Sequence, residues 1–245
     1  MSVGFAETTP AHHSGRRQRH AHAERIRFDE IRFDGPEANR YRFTCRGGPE
    51  ELAPSIQKYG LLTLPLLREH PEWLQIVCGF RRLEALRLLG RDGTDSLVLT
   101  GEEAADGNCL RRSILENLWQ RGFNEVEKAL IFTRLHDEFP DLLPGLSNLP
   151  GLENPVGEKS LTPYRFVLSL PEPILHGLAQ EKVSFGQVQL LRMLPEHWRL
   201  GFYELMTACE FTLQESRRAA EWLLDLAWSA REGKLRCLFE ALSSK

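Results

Sequence analysis

Gln75-Ile76-Val77-Cys78-Gly79-Phe80-Arg81-Arg82 reads as a strand that runs through a glycine turn into the start of a basic helix. Glycine at that point lets the backbone approach a ligand closely, and the first-turn N–H groups with the helix dipole favour an anion. Arg81 and Arg82 add two planar guanidinium forks, each able to engage two phosphate oxygens at once. Taken alone, the octapeptide fits a phosphate site and an ordinary surface helix with solvated arginines equally.

Upstream, Leu52, Ile56 and Tyr59 fall on one helical face, and Gly60 suits the position just past a helix end. Pro54 restricts that helix to a register that places the proline in its first turn, where a missing N–H costs nothing. Leu64–Arg68 and Leu74–Cys78 then read as two strands joined by a tight connection at His70-Pro71-Glu72. Downstream, Leu83, Leu86 and Leu89 make a helix that stops at Gly90, and Ser96–Thr100 reads as a further strand.

From about Cys109 the pattern turns helical. Leu110, Ile114, Leu115 and Leu118 form an apolar stripe, and Asn124 with Glu127 makes a capping box that opens the next helix. Ser184 with Gln187 and Thr212 with Glu215 repeat that signal, the latter before the stripe Leu213, Ser216, Ala220, Leu223 and Leu224. Between them, prolines 140, 144, 150, 155 and 163 and glycines 145, 151 and 157 predict a long loop or hinge over 140–163. The expected fold class is therefore α+β at the N-terminal side, followed by an all-α helical domain.

The 245 residues carry a formal charge of -3 and 42% hydrophobic residues, enough for one large domain or two modest ones. Bulk basicity gives no argument for a nucleic-acid partner. Residues 1–27, however, hold five arginines and four histidines against two acids. Residues 1–24 are expected to form a disordered basic tail. No apolar run of membrane-spanning length and no secretory leader is present, so a cytoplasmic protein without a membrane partner is expected. The five cysteines, at 45, 78, 109, 209 and 237, have no CxxC or Cys/His metal spacing and read as reduced thiols.

Four stretches in order resemble the N-terminal domain of the ParB/Spo0J partition protein family. They are Glu50–Leu62 with Pro65-Leu66-Leu67, then Val77–Ala85, then Glu116–Ala129, and finally Leu170-Pro171-Glu172 through Ser184, together covering roughly residues 26–190. The resemblance implies a ParB/sulfiredoxin-like α+β domain, here 25–108, and a helical domain at 109–245 that includes a helix-turn-helix. It implies CTP and Mg²⁺ as ligands, with Gly79, Arg81 and Arg82 at the triphosphate, Glu116 and Asn117 at phosphate and Glu116 at the metal. DNA would be met through Thr162, Tyr164 and Arg165, by a homodimer that also serves a partition ATPase or another protein. The implied activity is a nucleotide-dependent switch with at most slow CTP hydrolysis. The alternative is a degenerate member that acts as a protein-interaction or transcription-regulatory module. A sulfiredoxin-like or nuclease-like enzyme stands further off.

Three departures from the family pattern bear on these expectations. Phe80 replaces an acidic residue beside the arginines, which bears on hydrolysis and on triphosphate binding. In Trp119-Gln120-Arg121 the arginine comes one position late, about 100° around a helix. The helix-turn-helix would fall on the proline-rich stretch, where only Thr162 as N-cap and Pro163 at the first helical position mark a helix start. In sulfiredoxin the nucleophilic cysteine follows the motif glycine, a place held here by Phe80, so Cys78 reads as a small core residue. Trp222, among leucines at helical spacing, is also expected in the core, while Trp198 and Trp228 are candidate stacking platforms.

Overall fold

The structure is a computed structural model that describes residues 21–43, 47–146, 149–152 and 158–229. Four strands form one sheet: β1 (Ala21–Arg27), β2 (Leu66–Glu69), β3 (Leu74–Cys78) and β4 (Gly93–Leu99), in the order β1-β4-β2-β3. β2 and β3 form an antiparallel hairpin, β2 runs parallel to β4, and β1 lies antiparallel on the outer edge of β4.

β1 includes residues 21–24, which were expected to belong to the tail; the remainder of that tail lies outside the described residues. In Ala21–Arg27 only Ile26 is buried, so the strand has no alternating apolar face. Its register is set by backbone pairing from Ala21 opposite Leu99 to Arg27 opposite Gly93. Gly93 is required there, since a Cβ would sit 2.3 Å from the Ile26 carbonyl oxygen.

The first helices are α1 (Ala53–Tyr59) and α2 (Phe80–Leu88). Pro54 lies in the first turn of α1 and Gly60, at φ 74°, ends it, as the sequence predicts. Tyr59 departs from expectation: it is exposed, and its ring lies 4.7 Å from the Lys58 ammonium. α3 (Asp106–Arg121) then crosses behind the sheet, with Cys109, Leu110, Ile114 and Leu118 buried. These join Leu67, Ile76, Val77, Leu83, Val98 and Leu99 in a first core.

α4 (Glu125–Glu138) opens on the predicted capping box, with the Glu127 N–H donating to Asn124 Oδ1 at 2.9 Å and the Asn124 N–H to Glu127 Oε2 at 3.1 Å. This helix belongs to two cores. Ile131, Phe132 and Leu135 pack into the first, whereas Val126 and Ala129 enter a second core made with the following helices.

The proline-rich stretch is not one loop. It holds a 3-10 turn at Pro140–Leu142, a single helical turn α5 (Leu143–Leu146), and the start of α6 (Glu158–Leu168). Leu143, Leu146, Leu152 and Leu161 are buried, so apolar burial orders backbone that the proline count alone would leave irregular. Pro163 sits inside α6 rather than at its first position, and Thr162 is a helical residue rather than its N-cap.

The chain ends in α7 (Glu172–Ala179), α8 (Phe185–Leu190), α9 (Glu196–Ala208) and α10 (Leu213–Ser229). Both predicted capping boxes form, at Ser184–Gln187 and Thr212–Glu215. On α10, Ser216, Ala220 and Leu223 are buried as the stripe predicts, but Leu213 is exposed and so is Trp222, at 58% of its surface. Trp222 is the next residue after Glu221 on the polar side of the helix, which spacing among leucines does not reveal. The observed class is α+β followed by an all-helical part, as expected. No helix among the described residues is long and apolar enough to cross a membrane.

Candidate functional site

Gly79 closes β3 in the left-handed region, at φ 92°, and serves as the N-cap of α2. Only glycine takes that conformation without strain, and a Cβ would meet Pro65 Cα and the Arg82 guanidinium at 3.2 Å. The turn aims Arg81 and Arg82 into a cavity of about 460 Å³, whose lining also includes Gly79, Glu116 and Asn117. Two segments separated by more than thirty residues thus meet, because α3 packs against β3.

Arg82 is held by three acceptors. Its Nη1 donates to the Thr63 carbonyl at 2.9 Å and the Leu64 carbonyl at 3.3 Å, and its Nη2 donates to Glu116 Oε1. Gln120 Nε2 donates to the same Glu116 oxygen at 3.1 Å. Arg81 Nη2 donates to the Gly48 carbonyl at 3.2 Å and to Glu51 Oε2 at 2.9 Å, while its Nε is buried with no hydrogen-bond partner. Asn117 Nδ2 donates to the Ser113 carbonyl one turn back, at 2.9 Å.

Arg121, the displaced arginine of the sequence, also lines the cavity. Its guanidinium is fixed by Glu127, with Nη1 to Oε2 and Nη2 to Oε1 both at 2.9 Å. Three arginines therefore border the same space, each paired with a glutamate: Arg81 with Glu51, Arg82 with Glu116 and Arg121 with Glu127. Ser55, Thr63 and Gln120 complete the polar lining. Sequence spacing gave no sign of Ser55 and Thr63, since α1 and the loop after it reach the cavity only through the tertiary fold.

Phe80 is 8% exposed and packs into the first core at the cavity edge, with the Arg42 guanidinium carbon 5.7 Å from its ring centroid. Arg42 in turn pairs with Glu84 of α2. Phe80 thus contributes apolar anchoring at the cavity edge. Cys78 is buried as expected; burial, and then the neighbouring Glu116, push its thiol above the ordinary cysteine range. A thiol so placed stays protonated and is no nucleophile.

The three residues expected at DNA all lie on α6 and are not equivalent. Thr162 and Arg165 are exposed, with Arg165 Nη2 donating to Asp137 Oδ1 of α4 at 2.6 Å. Tyr164 is half-buried, its ring centroid 5.1 Å from both Phe132 and Phe185. Burial, and then Glu125, push its hydroxyl up to about 12. Among the described residues no group of three or more His, Cys, Asp or Glu side chains is placed to hold a metal ion.

Fold and site together define an α+β part with an arginine-lined cavity, joined through the shared helix α4 to an all-helical part. No family model matches the chain. It is 29% identical over 173 residues to the probable chromosome-partitioning protein ParB of Neisseria meningitidis serogroup A, covering 70% of this chain and 58% of that protein. It is 29% identical over 168 residues to the probable chromosome 1-partitioning protein ParB of Deinococcus radiodurans, covering 68% and 55%. A solved Pnob8-like ParB-N domain aligns over 91% of this chain and 97% of its own, with a TM-score of 0.51 at 13% identity, which is a likeness of fold. The chain is ParB-like. It spans somewhat over half the length of the curated relatives it matches.

Proposed function

We propose that the chain binds CTP with Mg²⁺ in the arginine-lined cavity and uses occupancy as a switch that alters how its helical part packs. The observation that carries this reading is the convergence of Gly79, Arg81, Arg82, Glu116 and Asn117 on one cavity. Those residues come from two motifs far apart in sequence, and a structural role for each would not require them to face the same space.

The donor set suits a triphosphate. The buried, unpartnered Nε of Arg81 is a donor in search of an acceptor, and glycine at 79 leaves backbone room that any Cβ would fill. Glu116 is the residue that would hold Mg²⁺, which neutralises phosphate charge while keeping most of its ligands from water and phosphate. Arg81 and Arg82 orient the phosphates as bidentate donors. Phe80 puts an apolar ring between Gly79 and the two arginines, so the site favours binding over turnover, and any CTP hydrolysis is slow. DNA is the proposed macromolecular ligand, through Thr162 and Arg165 on α6, with a homodimer and a partition ATPase as the proposed assembly and partner. The names of the curated relatives, as chromosome-partitioning proteins, support the DNA-associated role.

Calorimetric titration of CTP against ATP, GTP and UTP with Mg²⁺ tests the reading. CTP is expected to bind, and the Arg81→Ala Arg82→Ala double variant to lose that binding. No binding to the wild type, or equal binding by the double variant, sinks it.

A second reading, an interaction module with an empty pocket, is favoured by one observation: Arg82 and Glu116 already satisfy each other. Its signature is affinity for a protein partner and no salt-dependent affinity for DNA.

A further inference from the structure

Glu127 is fully buried, yet its carboxylate faces the cavity-lining Arg121 through two hydrogen bonds of 2.9 Å. The same carboxylate closes the capping box by accepting from the Asn124 N–H. One side chain thus seats the first turn of α4 and anchors an arginine of the candidate phosphate site. That first turn and the residue after it carry Val126 and Ala129 into the second core, while the later turns of α4 carry Ile131, Phe132 and Leu135 into the first.

We infer that Arg121 is the positioning residue that links the pocket to the helical part, by exchanging Glu127 for ligand phosphate when a polyanion enters. The inference rests on the reading of the cavity as a nucleotide site and names how that site reports its state. Arg121 lines the cavity with 26% of its side chain exposed, so a bound triphosphate competes for a guanidinium that Glu127 holds. A carboxylate buried to 0% exposure cannot keep its charge unpaired at low cost. When Arg121 turns to phosphate, the first turn of α4 loosens until the Glu127 carboxylate reaches water or another cation. Linkage then works in both directions: whatever seats α4 weakens anion binding, and whatever releases Arg121 strengthens it.

This mechanism also gives a physical use to the one-position displacement of the arginine. At position 121 it ends α3 and reaches Glu127 across the Gly122–Phe123 turn. Gln120, in the preceding position, instead donates to Glu116.

The test uses the full chain and two readouts: calorimetric CTP binding with Mg²⁺, and hydrogen exchange at the amides of residues 124–128. In the wild type, CTP is expected to speed exchange at those amides. Glu127→Gln keeps the capping acceptor but removes the charge, so CTP affinity should rise by about tenfold, within the usual range of site-to-site coupling. In this variant the cap is kept and no buried charge is left to unseat the turn, so exchange at 124–128 should stay slow and indifferent to CTP. The Arg121→Gln Glu127→Gln double variant removes both charges and guards against misfolding of the single one. It should bind CTP without any change in α4 exchange. Binding by the wild type with unchanged exchange at 124–128 overturns the coupling and leaves the nucleotide site standing. Equal CTP affinity of wild type and Glu127→Gln overturns it too. Absence of CTP binding by the wild type overturns the nucleotide site, and the coupling with it.

Discussion

Arg82 of α2 donates directly to Glu116 of α3 across the cavity, so the two groups expected to divide phosphate and metal between them are joined to each other in this structure. A divalent cation that takes Glu116 would release Arg82 for phosphate, which makes metal and anion binding mutually supportive. Glu116→Gln removes the competing charge. In the presence of a chelator this variant should bind CTP more tightly than the wild type by about tenfold, the size of one charge-assisted hydrogen bond of about 1.5 kcal/mol. Added Mg²⁺ should then help the wild type and do little for the variant. Weaker binding by Glu116→Gln under chelator would mean that Glu116 does not restrain Arg82.

Gly79 and Gly60 both adopt positive φ, at 92° and 74°, but their surroundings differ. A Cβ at 79 meets Pro65 Cα and Arg82 at 3.2 Å, whereas a Cβ at 60 meets nothing within 4 Å. Gly60→Ala should therefore cost backbone strain alone, on the order of 1 kcal/mol, because φ 74° with ψ −171° is a region essentially confined to glycine. Gly79→Ala adds a clash with backbone and should cost about 2–3 kcal/mol, with Arg82 displaced from Thr63 and Glu116. Urea unfolding of both variants measures the difference. Equal midpoints would show that the strand-to-helix turn can shift without penalty.

The parts of this structure legible in the sequence are those set by local chemistry. Three capping boxes, at Asn124, Ser184 and Thr212, form as their spacing predicts, because each is a short-range exchange of hydrogen bonds. The hairpin of β2 and β3 and the glycine turn into α2 were equally plain. What escaped was decided at long range. β1 has one buried residue and exists through its pairing with β4, while α5 exists because Leu143 and Leu146 reach the first core. The site followed the same division. Gly79, Arg81, Arg82, Glu116 and Asn117 lie in recognisable motifs, but the Arg121–Glu127 pair joins residues whose partnership depends on the turn between two helices.

Asp106, the first residue of α3, collects Tyr41, Arg40 and Arg68 around one carboxylate. Burial acts to raise its carboxyl, but hydrogen bonds from Arg40 and Tyr41 outweigh it and hold the group below the usual carboxylate range. A carboxyl depressed in the folded state stabilises the fold above its unfolded value, about 3.9, and that contribution is lost as pH falls through the folded value. Stability should therefore drop on acidification below about pH 4, and Asp106→Asn should flatten that limb of the curve. Asp106→Ala should cost about 1–3 kcal/mol at neutral pH, since the hydroxyl of the buried Tyr41 is left without its acceptor. Chemical denaturation across pH checks both, and an acid limb unchanged in Asp106→Asn would assign the pH dependence to other groups.

On α6 the neighbours Tyr164 and Arg165 separate packing from recognition. Tyr164 lies between Phe132 and Phe185 and is half-buried, while Arg165 is exposed and tied to Asp137. Tyr164→Ala should destabilise the fold by about 3–5 kcal/mol, as loss of a packed aromatic ring does, while Tyr164→Phe keeps the ring and should leave DNA affinity unchanged. Arg165→Ala should leave the fold intact but weaken DNA binding across sequences. Its plot of log affinity against log salt should be shallower by about one unit, as expected for the loss of one phosphate contact. Fluorescence anisotropy with labelled duplexes at several salt concentrations reads both effects. If Tyr164→Phe loses DNA affinity while Arg165→Ala keeps it, the roles are reversed: the tyrosine hydroxyl then reaches DNA, and Arg165 serves chiefly to tie α6 to Asp137 on α4.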